Sequence, residues 1–195
     1  MSIILTLLLT LVGGMMYVSI FEWSLHKYVM HQVVGGFRYP FVTHTLIHHK
    51  LFKADLTYHI QPGIENEKIT MAWWHGFVLS LIGMIPFTVA ALVIARLVGA
   101  REGYLVFVEG LCISAGYYIA YEYLHWCMHL PRNRIVERSR IFRMLNGHHI
   151  LHHRYMWTNY NVVFPFADML FGTLLLRASK PFSQVEGRAV PSVQP

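Results

Sequence analysis

The sequence predicts an all-α integral membrane protein of about three transmembrane helices, with a cytoplasmic helical cap rich in histidine. Three observations carry this expectation. Of 195 residues, 55% are hydrophobic and only 13% are charged, which lies outside the usual balance of a soluble domain. Three apolar stretches each reach the roughly 20 residues that cross a bilayer as helix. Finally, the 13 histidines cluster at the ends of these stretches or in the segments between them.

Taken in order, the first stretch, "SIILTLLLTLVGGMMYVSIFEW", begins at Ser2. It lacks a basic leading region and an A-x-A-like cleavage site, so it reads as a retained anchor. The second, "WWHGFVLSLIGMIPFTVAALVIARLVG" from Trp73, and the third, "GYLVFVEGLCISAGYYIAYEYLHW" from Gly103, form a tight helical hairpin turned by "VGARE". Gly110, Ser114 and Gly116 offer small faces for close helix packing. Residues 1–179 read as a single membrane-embedded domain. The tail 180–195, "KPFSQVEGRAVPSVQP", gains Pro, Ser and Gly and loses apolar periodicity, as a loose terminus does. Cys112 and Cys127 are too few for a zinc ribbon and are expected to stay unpaired packing residues.

Three crossings place residues 26–72 and 126–195 on one side, with every Lys and Arg except Arg96 and Arg101. The positive-inside rule makes that side cytoplasmic and puts the N-terminus on the opposite side. The net charge of +6 is then concentrated on one face, where anionic headgroups or an acidic protein would feel it, and no nucleic-acid partner is expected. The run "PRNRIVERSRIFR", residues 131–143, is the densest part of that face.

The histidines fall as His26 and His31, then His44, His48 and His49, then His125 and His129, then His148, His149, His152 and His153. In "HWCMH", His125 and His129 are i and i+4 on a helix and converge on one ion. Adjacent histidines such as His48 and His49, or His152 and His153, point about 100° apart at 3.6 residues per turn. Each such pair would serve two ions. In "HTLIHH" the remote His44 sits a turn before the pair, as either His148 or His149 does in "HHILHH". His26 and His31 are five apart, about 140° around an ideal helix, which predicts a frayed helix end or two different metals. His59 and His75 lack a partner at ligand spacing and are expected in supporting roles.

Ten plausible imidazoles exceed the four to six ligands of one ion, so the cap is expected to hold a dimetal site. Imidazole suits iron, zinc, copper and nickel. Structural zinc needs only four ligands, and catalytic zinc commonly three plus water. A pair of irons that reduces dioxygen and attacks an unactivated C–H bond of an apolar chain would account for both the ligand number and the lipid location.

In this ligand grammar, "HKYVMH", "HTLIHH", "HWCMH" and "HHILHH" resemble the histidine boxes of the fatty acid hydroxylase, or sterol desaturase, superfamily of membrane di-iron oxygenases. The resemblance spans residues 22–176 and includes "NYNVVFPFADMLFGT", residues 159–173, which is similar to the segment after the last box in that superfamily. It implies oxygen-dependent hydroxylation or desaturation of a fatty acyl or sterol-like lipid by two Fe ions, whose place zinc could take in purified material. Electrons would come from a ferredoxin or a cytochrome b5-like reductase system. Carried over residue by residue, it makes His26, His31, His44, His48, His49, His125, His129, His149, His152 and His153 the metal ligands, with His148 in reserve for His149.

Two features depart from the larger relatives: a single membrane helix before the first box, and no fused cytochrome domain. "EWSLHKYVMHQ" is also similar to the opening box of the compact carotenoid hydroxylases, although "HTLIHH" and the 159–173 segment fit the fatty acid and sterol branch better. Metal-bound histidines usually give their second ring nitrogen to a carboxylate or carbonyl, and the carboxylates in reach are Glu22, Glu122 and Asp168, with Asp55 a weaker choice. Glu109 lies deeper in its helix with no nameable partner. Tyr117, Tyr118, Tyr121 and Gly116 would flank an acyl chain rising from the bilayer.

Other chemistries fit less well. A zinc hydrolase would want an HExxH motif, and the glutamate before His125 stands in "YEYLH". A b-type cytochrome would place histidine pairs within its helices, and a metal transporter would need polar groups along its span.

Overall fold

The computed structural model describes residues 3–65 and 69–177, and the tail expected at 180–195 lies outside them. Seven α-helices are present among the described residues: α1 (Ile3–Ser24), α2 (Tyr39–Phe41), α3 (His49–Leu51), α4 (Trp73–Leu97), α5 (Ala100–His129), α6 (Arg140–Arg154) and α7 (Phe166–Leu170). Two π-helical segments interrupt this order, Leu25–Met30 directly after α1 and Val42–His48 between α2 and α3. No strand occurs among the described residues.

Three helices are long and apolar enough to cross a membrane: Ile3–Met30, Trp74–Leu97 and Ala100–His129. Their outer faces carry exposed aliphatics such as Leu8, Leu9 and Val12 on α1 and Leu81, Ile85, Val89 and Leu92 on α4. That is the composition lipid contact demands. At 30 residues, α5 is about 45 Å long against a hydrocarbon core of about 30 Å. His125 and His129 stand at the C-terminal end of this length.

Small residues set the packing between spans. A Cβ at Gly103 would stand 2.5 Å from the Ala91 carbonyl and the Ala95 Cβ, so only glycine lets α4 and α5 approach this closely. Gly110 plays the same part against Phe87, and Ser114 faces Gly83. Gly116, expected to join them, faces open space. Val18, Met84, Phe87, Ile113 and Tyr117 fill the centre of the bundle.

Beyond the spans, α6 is capped by Ser139, whose hydroxyl accepts from the Phe142 N–H at 3.0 Å. Helical spacing then buries Phe142, Leu145, His149 and His152 on one side, together with His148 and His153. The apolar members pack on Tyr58, Tyr121, Cys127, Met128 and Val162. Cys112 and Cys127 are both free thiols, as expected, but only Cys127 is buried in packing, while Cys112 is exposed. In the basic run, Arg134 pairs with Glu137 and lies over the Trp126 ring at 4.2 Å, while Arg132, Arg138, Arg140 and Arg143 are exposed.

Candidate metal centre

All ten histidines assigned as ligands come together at one end of the bundle, in two groups of five. The first group is His26, His31, His44, His49 and His152; the second is His48, His125, His129, His149 and His153. Within each, the five donor nitrogens lie within 4.8 Å of one another. Adjacent histidines divide between groups, His48 from His49 and His152 from His153, as their 100° separation requires. The groups abut, with the His49 and His153 rings 4.3 Å apart. Of the two candidates in "HHILHH", His149 joins the second group and His148 stays outside both.

His26 and His31 correct the expectation from an ideal helix. They share a group because the chain between them is π-helical: the His31 N–H reaches the His26 carbonyl at 3.1 Å, an i to i+5 bond. Widening the turn brings the fifth residue back over the first, where an α-helix would leave it 140° away. His44 and His49 repeat the device, with the His49 N–H bonded to the His44 carbonyl at the end of the second π segment. The i and i+4 pairs, His125 with His129 and His149 with His153, ride on α5 and α6.

The hydrogen bonds fix the protonation of several rings. His26 Nδ1 lies 2.5 Å from the Tyr160 carbonyl, His129 Nδ1 2.7 Å from that of Tyr58, and His152 Nδ1 2.7 Å from that of Thr158. His153 Nδ1 bonds the Phe52 carbonyl. A carbonyl only accepts, so each Nδ1 carries the proton and each neutral ring turns a bare Nε2 inward. Thr45 gives its proton to the Met30 carbonyl at 2.7 Å and so accepts from His31 Nδ1 at 3.3 Å. His31 Nε2 is therefore bare as well. It faces the bare His152 Nε2 at 3.2 Å, two lone pairs with no proton between them. His125 Nε2 is likewise buried without a partner.

These contacts fit a shared cation. Two nitrogens each about 2.1 Å from one ion, at right angles to each other, lie about 3 Å apart. The Nε2 contacts run from 2.8 Å (His26 with His44) to 3.3 Å (His48 with His153), and include His129 with His149 at 3.1 Å and His153 with His149 at 3.0 Å. Burial and the neighbouring imidazoles push His31 down to about 2 and hold His44, His49, His149 and His153 well below the ordinary histidine value; burial alone takes His152 to about 4. All are neutral at physiological pH, which is the form that ligates.

The carboxylates correct a second expectation, for none of Glu22, Glu122 and Asp168 takes a hydrogen bond from a ligand histidine. Glu22 is buried and accepts from Tyr117 Oη at 2.6 Å, Asn161 Nδ2 at 2.9 Å and the Val162 N–H at 2.7 Å. Asp168, fully buried, accepts from the N–H groups of Tyr160 (2.9 Å) and Asn161 (2.7 Å) and from Thr173 Oγ1 (2.6 Å). Glu122 accepts from the Met71 N–H at 3.2 Å. The physical reason is reach: each carboxylate meets unpaired backbone N–H groups of a loop before it meets an imidazole, and carbonyls of the same loops take the imidazole protons. Asp55, exposed, closes a turn by accepting from the Thr57 N–H at 2.7 Å. His148 is buried with Nδ1 unpartnered, His59 is exposed, and His75 packs on Tyr39 and Trp74.

Beside the centre lies a cavity of about 880 Å³, near the upper end of the usual ligand-pocket range. Its walls are largely apolar, including Leu25, Val29, Phe37, Ile47 and Val78. It touches His44 of the first group and His48 and His125 of the second. A narrow cavity of about 60 Å³ between α1, α4 and α5 adjoins it through shared wall residues such as Leu25 and Tyr121. Tyr117 and Tyr118 line this smaller space, whereas Gly116 lines neither.

No family model, curated protein or solved structure matches the chain.

Proposed function

We propose that the protein is a membrane-bound di-iron oxygenase that hydroxylates a C–H bond of a fatty acyl or sterol-like lipid, using dioxygen and electrons from a separate carrier protein. The observation that carries this reading is the pair of five-histidine groups with bare nitrogens turned inward, opening on an apolar cavity. Zinc sites commonly close with four ligands, often with cysteine among them. Five imidazoles per ion, with no carboxylate, suit an iron that keeps one position for another partner. When bound, two irons supply dioxygen reduction and hydrogen removal from carbon. The balance is one oxygen atom inserted into C–H and the other released as water, with two electrons and two protons taken up.

The chain's own residues supply position and dryness. Met30, Ile47 and Val78 exclude water from the cavity and hold an apolar chain by contact area. His44, His48 and His125 mark where a carbon would lie closest to the centre. The positive-inside rule favours a cytoplasmic position for this end of the bundle, where a ferredoxin or a cytochrome b5-like protein would deliver electrons.

The test is metal content of protein purified from iron-supplemented cells, with mass spectrometry of total lipid from expressing and non-expressing cells. Two metals per chain and a lipid gaining one oxygen are expected. A lipid losing two hydrogens would make the enzyme a desaturase. Lipid hydrolysis that continues without dioxygen would overturn the reading.

A further inference from the structure

The outer hydrogen bonds of the two groups come from separate stretches of backbone. In the first group, His26 and His152 donate to the carbonyls of Tyr160 and Thr158, two residues apart in one strap. In the second, His129 and His153 donate to the carbonyls of Tyr58 and Phe52, within another strap. Neither strap serves a histidine of the other group among these four bonds.

Each strap has its own anchors. The 158–162 strap is pinned by Asp168, through the N–H groups of Tyr160 and Asn161, and by Glu22, through the Val162 N–H and Asn161 Nδ2. Thr173 steadies Asp168 and accepts in turn from Trp23 Nε1 at 2.8 Å. The 52–58 strap is tied to α6 by Tyr58 Oη, which donates to Asn146 Oδ1 at 2.8 Å. The Asp55 turn and a bond from the Tyr58 N–H to the Asp55 carbonyl shape its middle.

We infer that the two ions are held by independent straps, so that the chain can lose either without the other, and that Asp168 and Glu22 are positioning residues for the first ion alone. This rests on the two-ion reading above. Asp168 acts through Tyr160, whose N–H it fixes and whose carbonyl orients His26 with its bare Nε2 toward the first group, and Glu22 holds the next two residues of the same strap, Asn161 and Val162. Asn146 does the same for the second group through Tyr58 and His129.

The experiment titrates Co(II) into the full-length protein in detergent and reads both equivalents bound and the visible absorption of each ion. His152→Ala and His129→Ala define the spectra left when the first or second group is broken. Asp168→Ala and the milder Thr173→Val are expected to weaken only the ion that His152→Ala removes, by about 10–100-fold, the usual range for loss of an outer partner. Asn146→Ala is expected to weaken only the ion that His129→Ala removes. If Asp168→Ala does not fold, Thr173→Val and Asn146→Ala still decide the matter. Variants that weaken both ions alike, the opposite ion or neither would overturn independent straps. Uptake of fewer than two equivalents by the unaltered protein would instead overturn the two-ion reading.

Discussion

At the scale of single residues, the cap tolerates a dense array of imidazoles because burial keeps His31, His44, His49, His149, His152 and His153 neutral. Below the ordinary histidine value of 6.5 the unfolded chain takes up protons, while the folded chain holds His152 neutral down to about 4 and His31 further still. Depressed values mean that the metal-free fold is most stable above pH 6.5 and loses stability as the pH falls toward 4. Each such histidine costs about 1.4 kcal/mol per pH unit across that window. Thermal unfolding of metal-stripped protein should therefore shift to markedly lower temperature between pH 7 and pH 5. A midpoint that does not move would contradict the neutral, buried assignment. In the folded chain protons compete for these lone pairs only below that window, so the ions should stay bound until the pH approaches 4 or the fold gives way.

At the scale of elements, the π segments leave a mark in the spacing of the histidines. The five-residue spacing appears twice, His26 to His31 and His44 to His49, and both times an i to i+5 bond closes over it. A single such spacing reads as a misfit to an α-helix, whereas two in the same protein point to a widened turn. The double substitution Met30→His with His31→Met tests this. It creates the i and i+4 spacing that an α-helix would favour, yet in a π turn it takes the ligand off the His26 face. Metal content should fall from two per chain to one; retention of two would mean that the segment relaxes to α. Between α4 and α5, Gly103→Leu would drive a side chain into the Ala91 backbone and should destabilise the fold by about 1–3 kcal/mol, read as a lower unfolding temperature in detergent. Gly116→Leu, facing open space, should leave that temperature nearly unchanged.

At the scale of the whole molecule, three long apolar helices end in a polar, histidine-filled cap, and the cavity bridges the two. That juxtaposition is what the proposed lipid hydroxylation would require. Ala72, in the cavity wall, offers a way to block the space without touching a ligand. Ala72→Trp should leave metal content at that of the unaltered protein while cutting oxygenated lipid by tenfold or more in the same expressing cells. Unaltered product would show that substrate approaches by another route.

Much of this was legible in the chain itself. Apolar runs determine spanning helices because backbone groups in lipid must pair within their own segment, and they need no partner to be recognised. The splitting of His48 from His49 and of His152 from His153 followed from helix geometry, and so did the pairing of His125 with His129. What only the tertiary structure decided is which distant groups meet. It selected His149 over His148 and drew Glu22, Glu122 and Asp168 to loop N–H groups instead of imidazoles. It also gave the imidazole protons to the carbonyls of Phe52, Tyr58, Thr158 and Tyr160. Every residue carries a carbonyl, so its role as an acceptor leaves no mark on side-chain identity. Local periodicity is written in neighbouring residues, whereas the partner of a buried polar group is set by chain folding across intervals of up to 150 residues, as between Trp23 and Thr173.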